Sequence, residues 1–301
     1  MSLLRLASLI HDGKLGQKDG LRVLSSNRVF LITLRENYAK GTGQKGQKKR
    51  QNMNILLAGA TGKMGRMLIE MLKDSKHRIV AGYAAEKDPA LSFPVYLDIE
   101  DCKETEQIDV IIDFSSPHAL DALVAFALRN QIPIVIATTG FSEDQEMKIA
   151  AAADHIPVFH SKNMSLGVNI MQVIVEQLAA KLWDFDIEII EKHHRYKADS
   201  PSGTAKMLFE SVNKGRKQSL KALEGRSGFY PGRSHEEVGI SAIRGGTIVG
   251  EHTVLFAGED EIIEVKHTAN SRAVFANGAI KAAEFLIKQG VGLYDMNDVL
   301  R

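Results

Sequence analysis

Met53-Asn-Ile-Leu-Leu-Ala-Gly59-Ala-Thr-Gly62-Lys-Met-Gly65-Arg-Met-Leu-Ile-Glu-Met-Leu-Lys73 reads as a strand, a glycine turn and a helix in immediate succession. Asn54 to Ala58 is a short apolar run suited to a buried strand, and Arg66 to Lys73 carries the helix. Between them the glycines stand at the first, fourth and seventh positions, one residue wider at the start than the usual G-x-G-x-x-G. Their roles carry over: Gly59 permits the tight turn, Gly62 lets backbone approach a pyrophosphate, and Gly65 lets the helix pack on the strand. The helix then offers unpaired N–H groups and a partial positive charge to an anion. A bare glycine pattern is weak, but Glu86 follows the second strand, Ile79 to Tyr83, about 20 positions beyond Gly65. An acid there can accept hydrogen bonds from ribose hydroxyls, which favours NADH, whereas its neighbour Lys87 could pair with the 2′-phosphate of NADPH. Spacing leaves those two readings even, and use of either cofactor is expected.

From Met53 onward strand-like and helix-like stretches alternate, as in a parallel sheet covered by helices. Val110 to Phe114 and Ile134 to Ala137 are later strands, with a helix over His118 to Asn130 between them. Thr138-Thr-Gly140 follows directly, at the carboxyl end of a strand, where ligands sit in such sheets. After Pro157 the rhythm changes. Ser165 to Leu182 reads as a long helix, Asp186 to Lys192 as a strand with Ile187 and Ile189 on one face, and Thr204 to Asn213 as another helix. Residues 238–268 hold three strand candidates with few helices between them, which predicts an open sheet with one face on a helix and the other available to another subunit. A last helix, about Asn277 to Gln289, returns to the first domain. The expected fold is α/β: a Rossmann-type doubly wound parallel sheet over 53–164 completed by 273–301, and a second α+β domain over 165–272 with an open mixed sheet for substrate and assembly.

Composition narrows the function classes. At 301 residues, 44% hydrophobic and 25% charged, the chain is typical of a soluble globular protein of two domains. No run approaches the roughly 18 apolar residues of a membrane span, so no membrane role is expected. Cys102 is the only cysteine, which rules out an internal disulfide and a thiolate metal cluster and fits a reducing cytoplasm. The net charge of +1 conceals an asymmetry: residues 1–52 hold 11 Lys/Arg against 3 Asp/Glu, leaving about −7 for the rest. That basic extension, ending in Gly-Thr-Gly-Gln-Lys-Gly-Gln-Lys-Lys-Arg-Gln-Asn over 41–52, lacks an apolar period and is expected to be disordered and outside the catalytic fold. An organelle-targeting segment is one reading of it, an upstream start codon before Met53 the favoured one. A nucleic-acid-binding arm is weaker, since no aromatic residues interleave with the closing basic run, and no nucleic-acid partner is expected.

Glu191-Lys-His193-His194-Arg-Tyr-Lys197-Ala-Asp199-Ser-Pro201-Ser202-Gly203-Thr204-Ala205 is the most informative stretch for chemistry. A strand ends in two histidines, an arginine and a lysine, and a Pro-Ser-Gly-Thr turn then opens a helix. Cations and free backbone N–H groups gathered in this way suit an anion, most simply substrate carboxylates. Metal binding is discounted, because adjacent histidines on an extended chain point to opposite faces and no third spaced ligand follows. A solvated basic loop would explain any one histidine but not the helix start beside the cluster. His193 or His194 can donate a proton to a reduced intermediate, and Lys197 can supply charge and a proton.

This segment resembles the signature of the 4-hydroxy-tetrahydrodipicolinate reductase (dihydrodipicolinate reductase) family. The resemblance extends to the Gly59–Gly65 turn, Ala137-Thr-Thr-Gly140, Asn163-Met-Ser-Leu-Gly-Val-Asn169, Ile243-Arg-Gly-Gly-Thr-Ile-Val-Gly-Glu-His252 and Ser271-Arg-Ala-Val-Phe-Ala-Asn-Gly278, and covers everything from Met53 to Arg301. It implies reduction of a cyclic, unsaturated dicarboxylate by NADH or NADPH to tetrahydrodipicolinate, with release of water, in a cytoplasmic homotetramer of lysine and diaminopimelate biosynthesis. Carried over by position, His193 is the proton donor or acceptor and Lys197 the second donor, while His194, Ser202, Gly203 and Thr204 hold substrate carboxylate. The cofactor side takes Gly59, Ala60, Thr61, Gly62, Lys63, Met64, Glu86, Lys87, Ala137, Thr138, Thr139, Ser161, Lys162, Asn163 and Met164, with Arg272 and Phe275 near the domain junction. Three positions depart from the family: Ala137 replaces a common glycine, Tyr196 a histidine and Met164 a phenylalanine, changes that bear on affinity and remove no reacting group. A dehydrogenase of an amino acid and a non-catalytic dinucleotide sensor are the competing readings, and His193 with Lys197 argues against both.

Overall fold

The computed structural model describes residues 21–26, 29–34, 52–217, 219–229 and 232–301. Two compact units divide the chain, 1–50 and 51–301. In the first, Leu21–Ser26 (β1) and Val29–Leu34 (β2) pair antiparallel, with Leu21 opposite Leu34 and Ser26 opposite Val29. These twelve residues lie within the extension expected to be disordered, and their Val, Ile, Leu and Phe content favours strands. The closing basic run up to residue 51 lies outside the described residues.

In the second unit Asn54–Ala58 (β3), Arg78–Tyr83 (β4), Val95–Tyr96 (β5), Val110–Asp113 (β6), Ile134–Ile136 (β7), Pro157–His160 (β8) and Gly292–Tyr294 (β14) form one parallel sheet, ordered β14-β8-β7-β6-β3-β4-β5. Its central strands are mostly apolar because both faces are covered. Leu56 and Ala58 of β3 pack towards Leu120–Asn130 (α2) and Glu143–Ala152 (α3), in a core with Leu123, Phe126 and Ile149. Ile55 and Leu57 point the other way, towards Leu68 of Lys63–Leu72 (α1) and Ala276, Ala279, Ala282 and Ala283 of Ala273–Leu286 (α6). α6 therefore packs on the first sheet, and its alanines allow that close approach.

The second sheet has the order β10-β11-β9-β12-β13, built from Asp186–His193 (β9), Lys221–Glu224 (β10), Glu237–Arg244 (β11), Gly250–Ala257 (β12) and Ile262–Ala269 (β13). It is mixed: β10, β11 and β9 run parallel, and β12 is antiparallel to β9 and β13. Leu166–Lys181 (α4) and Gly203–Gly215 (α5) cover one face, where Met171, Val175, Leu208 and Val212 meet Ile187, Ile189, Val254 and Phe256. Along β9 burial alternates strictly, so Glu191 and His193 fall on the same covered face as Ile187 and Ile189. The opposite face presents Glu188, Ile190 and Lys192. No helix among the described residues is long and apolar enough to cross a membrane.

Candidate active site

The glycine turn sits where β3 meets α1. Gly59 has φ +78°, and a side chain there would place Cβ 2.4 Å from the Phe114 carbonyl oxygen. A Cβ on Gly65 would stand 2.2 Å from the Gly59 oxygen, so this glycine lies inside α1 because the helix leans on the turn. Gly62 and Lys63 are exposed, Thr61 and Met64 are half-buried and Ala60 is buried. α1 opens with no side-chain cap and no acid in its first turn, which leaves its leading N–H groups and dipole for an anion. That donor set fits the pyrophosphate of a dinucleotide.

Glu86 and Lys87 are exposed in the loop after β4. Arg66 joins that loop to the turn: its Nε donates to the Thr61 carbonyl at 3.1 Å and its Nη2 to Asp88 Oδ2 at 2.9 Å. The Asp88 carboxyl is held below its ordinary value by the Ala90 N–H and by this guanidinium. Ala137 donates its N–H to the Asp113 carbonyl at 2.9 Å, Thr138 is buried and Thr139 exposed. The Asp113 carboxylate accepts from the Ser115 N–H and hydroxyl beneath that loop, and its deep burial raises its pKa.

Ser161 Oγ donates to the Asn163 carbonyl at 3.0 Å, and Asn163 Oδ1 accepts from the Ser165 N–H at 2.8 Å. Lys162 lines a cavity of about 910 Å³ with Ser161 and His160. Met164 is buried, and its carbonyl lies so close to Gly278 of α6 that a Cβ there would stand 1.7 Å away. Arg272 is exposed at the start of α6, and Phe275 is half-buried against the core beneath. The decisive contact runs from this loop to the other domain: Asn163 Nδ2 donates to Thr204 Oγ1 at 3.0 Å. Residues expected on the cofactor side and on the substrate side thus meet directly.

On the substrate side Ser202 caps α5, its Oγ accepting from the Ala205 N–H at 3.2 Å. Gly203 is exposed, with open space where a Cβ would be. His194 is half-buried and its Nδ1, enclosed, has no hydrogen-bond partner among the described residues. Lys197 Nζ donates to Asp199 Oδ1 at 2.7 Å. Burial alone would raise the Asp199 carboxyl, but Lys197 and the Gly203 N–H outweigh it and hold it below its ordinary value. Asp199 thus occupies an ammonium and a helix N–H of the kind a substrate carboxylate would take.

Beneath them Glu191, Arg244 and His252, which carry no role in the sequence-based expectations, tie His193 to Ser202. Glu191 is fully buried. Its Oε2 accepts from His193 Nδ1 at 2.6 Å and Arg244 Nη1 at 2.7 Å, its Oε1 from Arg244 Nη2 at 2.8 Å and the Ser202 N–H at 3.0 Å. Burial alone would raise its pKa, but Arg244, His193 and Ser202 hold it below the ordinary value. Burial pushes His193 down, against the pull of Glu191. His252 stands edge-on to His193 at 5.1 Å, its Nε2 3.0 Å from Ser202 Oγ, and burial drives its pKa to about 4. The alternation of β9 and β12 was the available signal, since Glu191 and His252 occupy inward positions in line with Ile189 and Val254.

Residues 53–164 match the family Dihydrodipicolinate reductase, N-terminus, and residues 167–300 match Dihydrodipicolinate reductase, C-terminus. The chain belongs to the dihydrodipicolinate reductase family. It is similar to 4-hydroxy-tetrahydrodipicolinate reductase of Clostridium novyi (strain NT), 45% identical over 249 residues that span 82% of this chain and 98% of the relative. The protein of the same name from Caldanaerobacter subterraneus subsp. tengcongensis is also 45% identical, over 83% of this chain and 98% of its own length. Among solved structures, dipicolinate-bound dihydrodipicolinate reductase from Paenisporosarcina sp. TG-14 shares the fold with a TM-score of 0.70 at 24% identity, over 82% of this chain and 99% of that one. Every matched dihydrodipicolinate reductase segment lies from Met53 onward, as the motifs do.

Proposed function

We propose that this chain reduces 4-hydroxy-tetrahydrodipicolinate to tetrahydrodipicolinate with NADH or NADPH, in lysine and diaminopimelate biosynthesis. Family membership supports the reaction class. The observation that carries the reading for this chain is the Asn163–Thr204 hydrogen bond, which sets the loop after β8 against the helix start that follows the His193–Lys197 cluster. A nicotinamide beside that loop and a dicarboxylate on that helix start would be neighbours. Residues 53–164 with 273–301 serve as the cofactor half and 165–272 as the substrate half.

The nicotinamide supplies a hydride when bound. The protein's own residues do the rest. The N–H groups opening α1 hold pyrophosphate, and Glu86 with Lys87 faces the adenosine ribose, whichever cofactor is used. Gly203 and Thr204 N–H groups, the Thr204 hydroxyl, His194 and Lys197 bind substrate carboxylate, Lys197 exchanging Asp199 for it. His193 and Lys197 deliver the proton that completes the reduction, and the hydroxyl departs as water, so that substrate, NAD(P)H and one proton give product, NAD(P)⁺ and water. The face of the second sheet with Glu188, Ile190 and Lys192 is the assembly surface of a homotetramer, and the cytoplasm is the compartment.

Cofactor oxidation is the test, with 4-hydroxy-tetrahydrodipicolinate supplied by a coupled synthase, NADH and NADPH in parallel, and both the full chain and the chain from Met53. Both forms are expected to turn over. NADH and NADPH left unoxidised by the full chain would refute the reading, and loss of activity on starting at Met53 would assign residues 1–52 a role in the fold or the site.

A further inference from the structure

Four donors from three elements converge on the two oxygens of Glu191. His193 comes from the same strand, Arg244 from β11 and the Ser202 N–H from the start of α5. Arg244 Nη2 also donates to the Asp199 carbonyl at 2.7 Å, so the turn that carries Lys197 hangs on the same carboxylate. A fully buried carboxylate persists only when paired and hydrogen-bonded, and here the bonds lead to His193, to the Ser202 helix start and, through Arg244, to the turn that carries Lys197.

We propose that Glu191 is a positioning residue for the reduction: its buried carboxylate keeps a proton on His193 Nδ1, leaves Nε2 as the atom that exchanges protons, and fixes the Ser202 helix start at a set distance from that ring. The role presupposes the reductase reading. An ionised carboxylate bonded to a bidentate guanidinium only accepts, so the nitrogen 2.6 Å from it donates. Nε2 then carries the lone pair of the neutral ring. It takes a proton from solvent and gives it to the reduced substrate: the Nε2–H bond breaks, a bond from that proton to substrate forms, and the ring returns to its Nδ1–H form. In the charged interval Glu191 offsets the imidazolium. The other groups facing the ring are Lys197 from the turn, Arg244 from β11 and His252 from β12, two cations and a histidine, so Glu191 is the acid opposing them.

The test begins with the unaltered full chain, ¹⁵N-labelled at its ten histidines, the His193 signals being assigned by their loss in His193→Gln. Long-range ¹H–¹⁵N spectra above the ring's titration should show Nδ1 protonated and Nε2 bare. Glu191→Gln puts a carboxamide N–H₂ among donors and forces a mismatch, so kcat should fall by about 10²- to 10⁴-fold, with a smaller change in substrate KM and no change in NADH binding. Glu191→Asp should recover part of that loss. An Nε2–H tautomer in the unaltered chain, a folded Glu191→Gln with unchanged kcat, or a change confined to KM would each overturn the proposal. Should Glu191→Gln fail to bind NADH or to melt cooperatively, the tautomer spectrum decides alone. An unaltered chain that binds NADH without turnover would sink the reductase reading and this role with it; an active chain with the other tautomer would sink this role only.

Discussion

A Cβ built on Gly250 would stand 3.1 Å from His193 Nε2. The ring cannot retreat, because its other nitrogen is bonded to Glu191 at 2.6 Å. Gly250→Ala is therefore expected to lower kcat about tenfold while NADH affinity holds, a milder version of the roughly 10²-fold cost of a 1 Å misplacement; full activity in steady-state assays would show that Nε2 has room to spare. At this scale the sequence displays the proposed reacting groups and conceals their supports. His193 and Lys197 stand out as titratable groups beside a helix start. Arg244 and His252 come from two other strands, and only the three-dimensional register brings them to Glu191 and Ser202, whereas Asp199 pairs with Lys197 two residues away.

Arg66 shows how one side chain couples two elements. Its bonds to the Thr61 carbonyl and to Asp88 fix the glycine turn relative to the Glu86–Lys87 loop. Arg66→Ala should weaken binding of either cofactor about two- to fivefold, the modest effect of an exposed pair, with kcat at saturating cofactor unaltered; a fluorescence titration showing wild-type affinity would contradict the coupling. Gly278 performs the corresponding service for α6, and Gly278→Val should displace the Asn163–Met164 loop and cost both stability and cofactor affinity, read by thermal melting and the same titration. Strong periodicity made β3, α1, β9 and the three long strands of the second sheet legible. Short or polar elements were not: β5 and β14 have two and three residues, β10 is an exposed edge, and β8 begins at Pro157, which is tolerated at the first residue of a strand. α3 buries only Ile149 and Ala152, so its apolar pattern is weak and the Ser142–Gln145 capping box is its clearest sequence signal. The helix expected from Asn277 starts four residues earlier, at Ala273, with Gly278 buried inside it.

For the whole molecule the buried His252 is one source of acid sensitivity. His252 has a folded pKa of about 4 against an ordinary 6.5, so between those values the unfolded chain binds a proton that the folded one refuses. Its contribution is fully present above pH 6.5 and lost as pH falls towards 4, on the order of 3 kcal/mol at most. His252→Gln should flatten the decline of melting temperature between pH 7 and 4.5; an identical decline would assign the acid sensitivity to other groups. The two halves joined at Asn163 and Thr204 are expected to work as one catalyst, the first holding the cofactor and the second supplying protons. The most direct test follows NADH absorbance after addition of 4-hydroxy-tetrahydrodipicolinate to the unaltered chain and to Lys197→Ala, with an NADH titration on the same samples. Substrate-dependent oxidation by the unaltered chain, lost in a Lys197→Ala protein that still binds NADH normally, is the predicted result; oxidation by Lys197→Ala at the unaltered rate would contradict it.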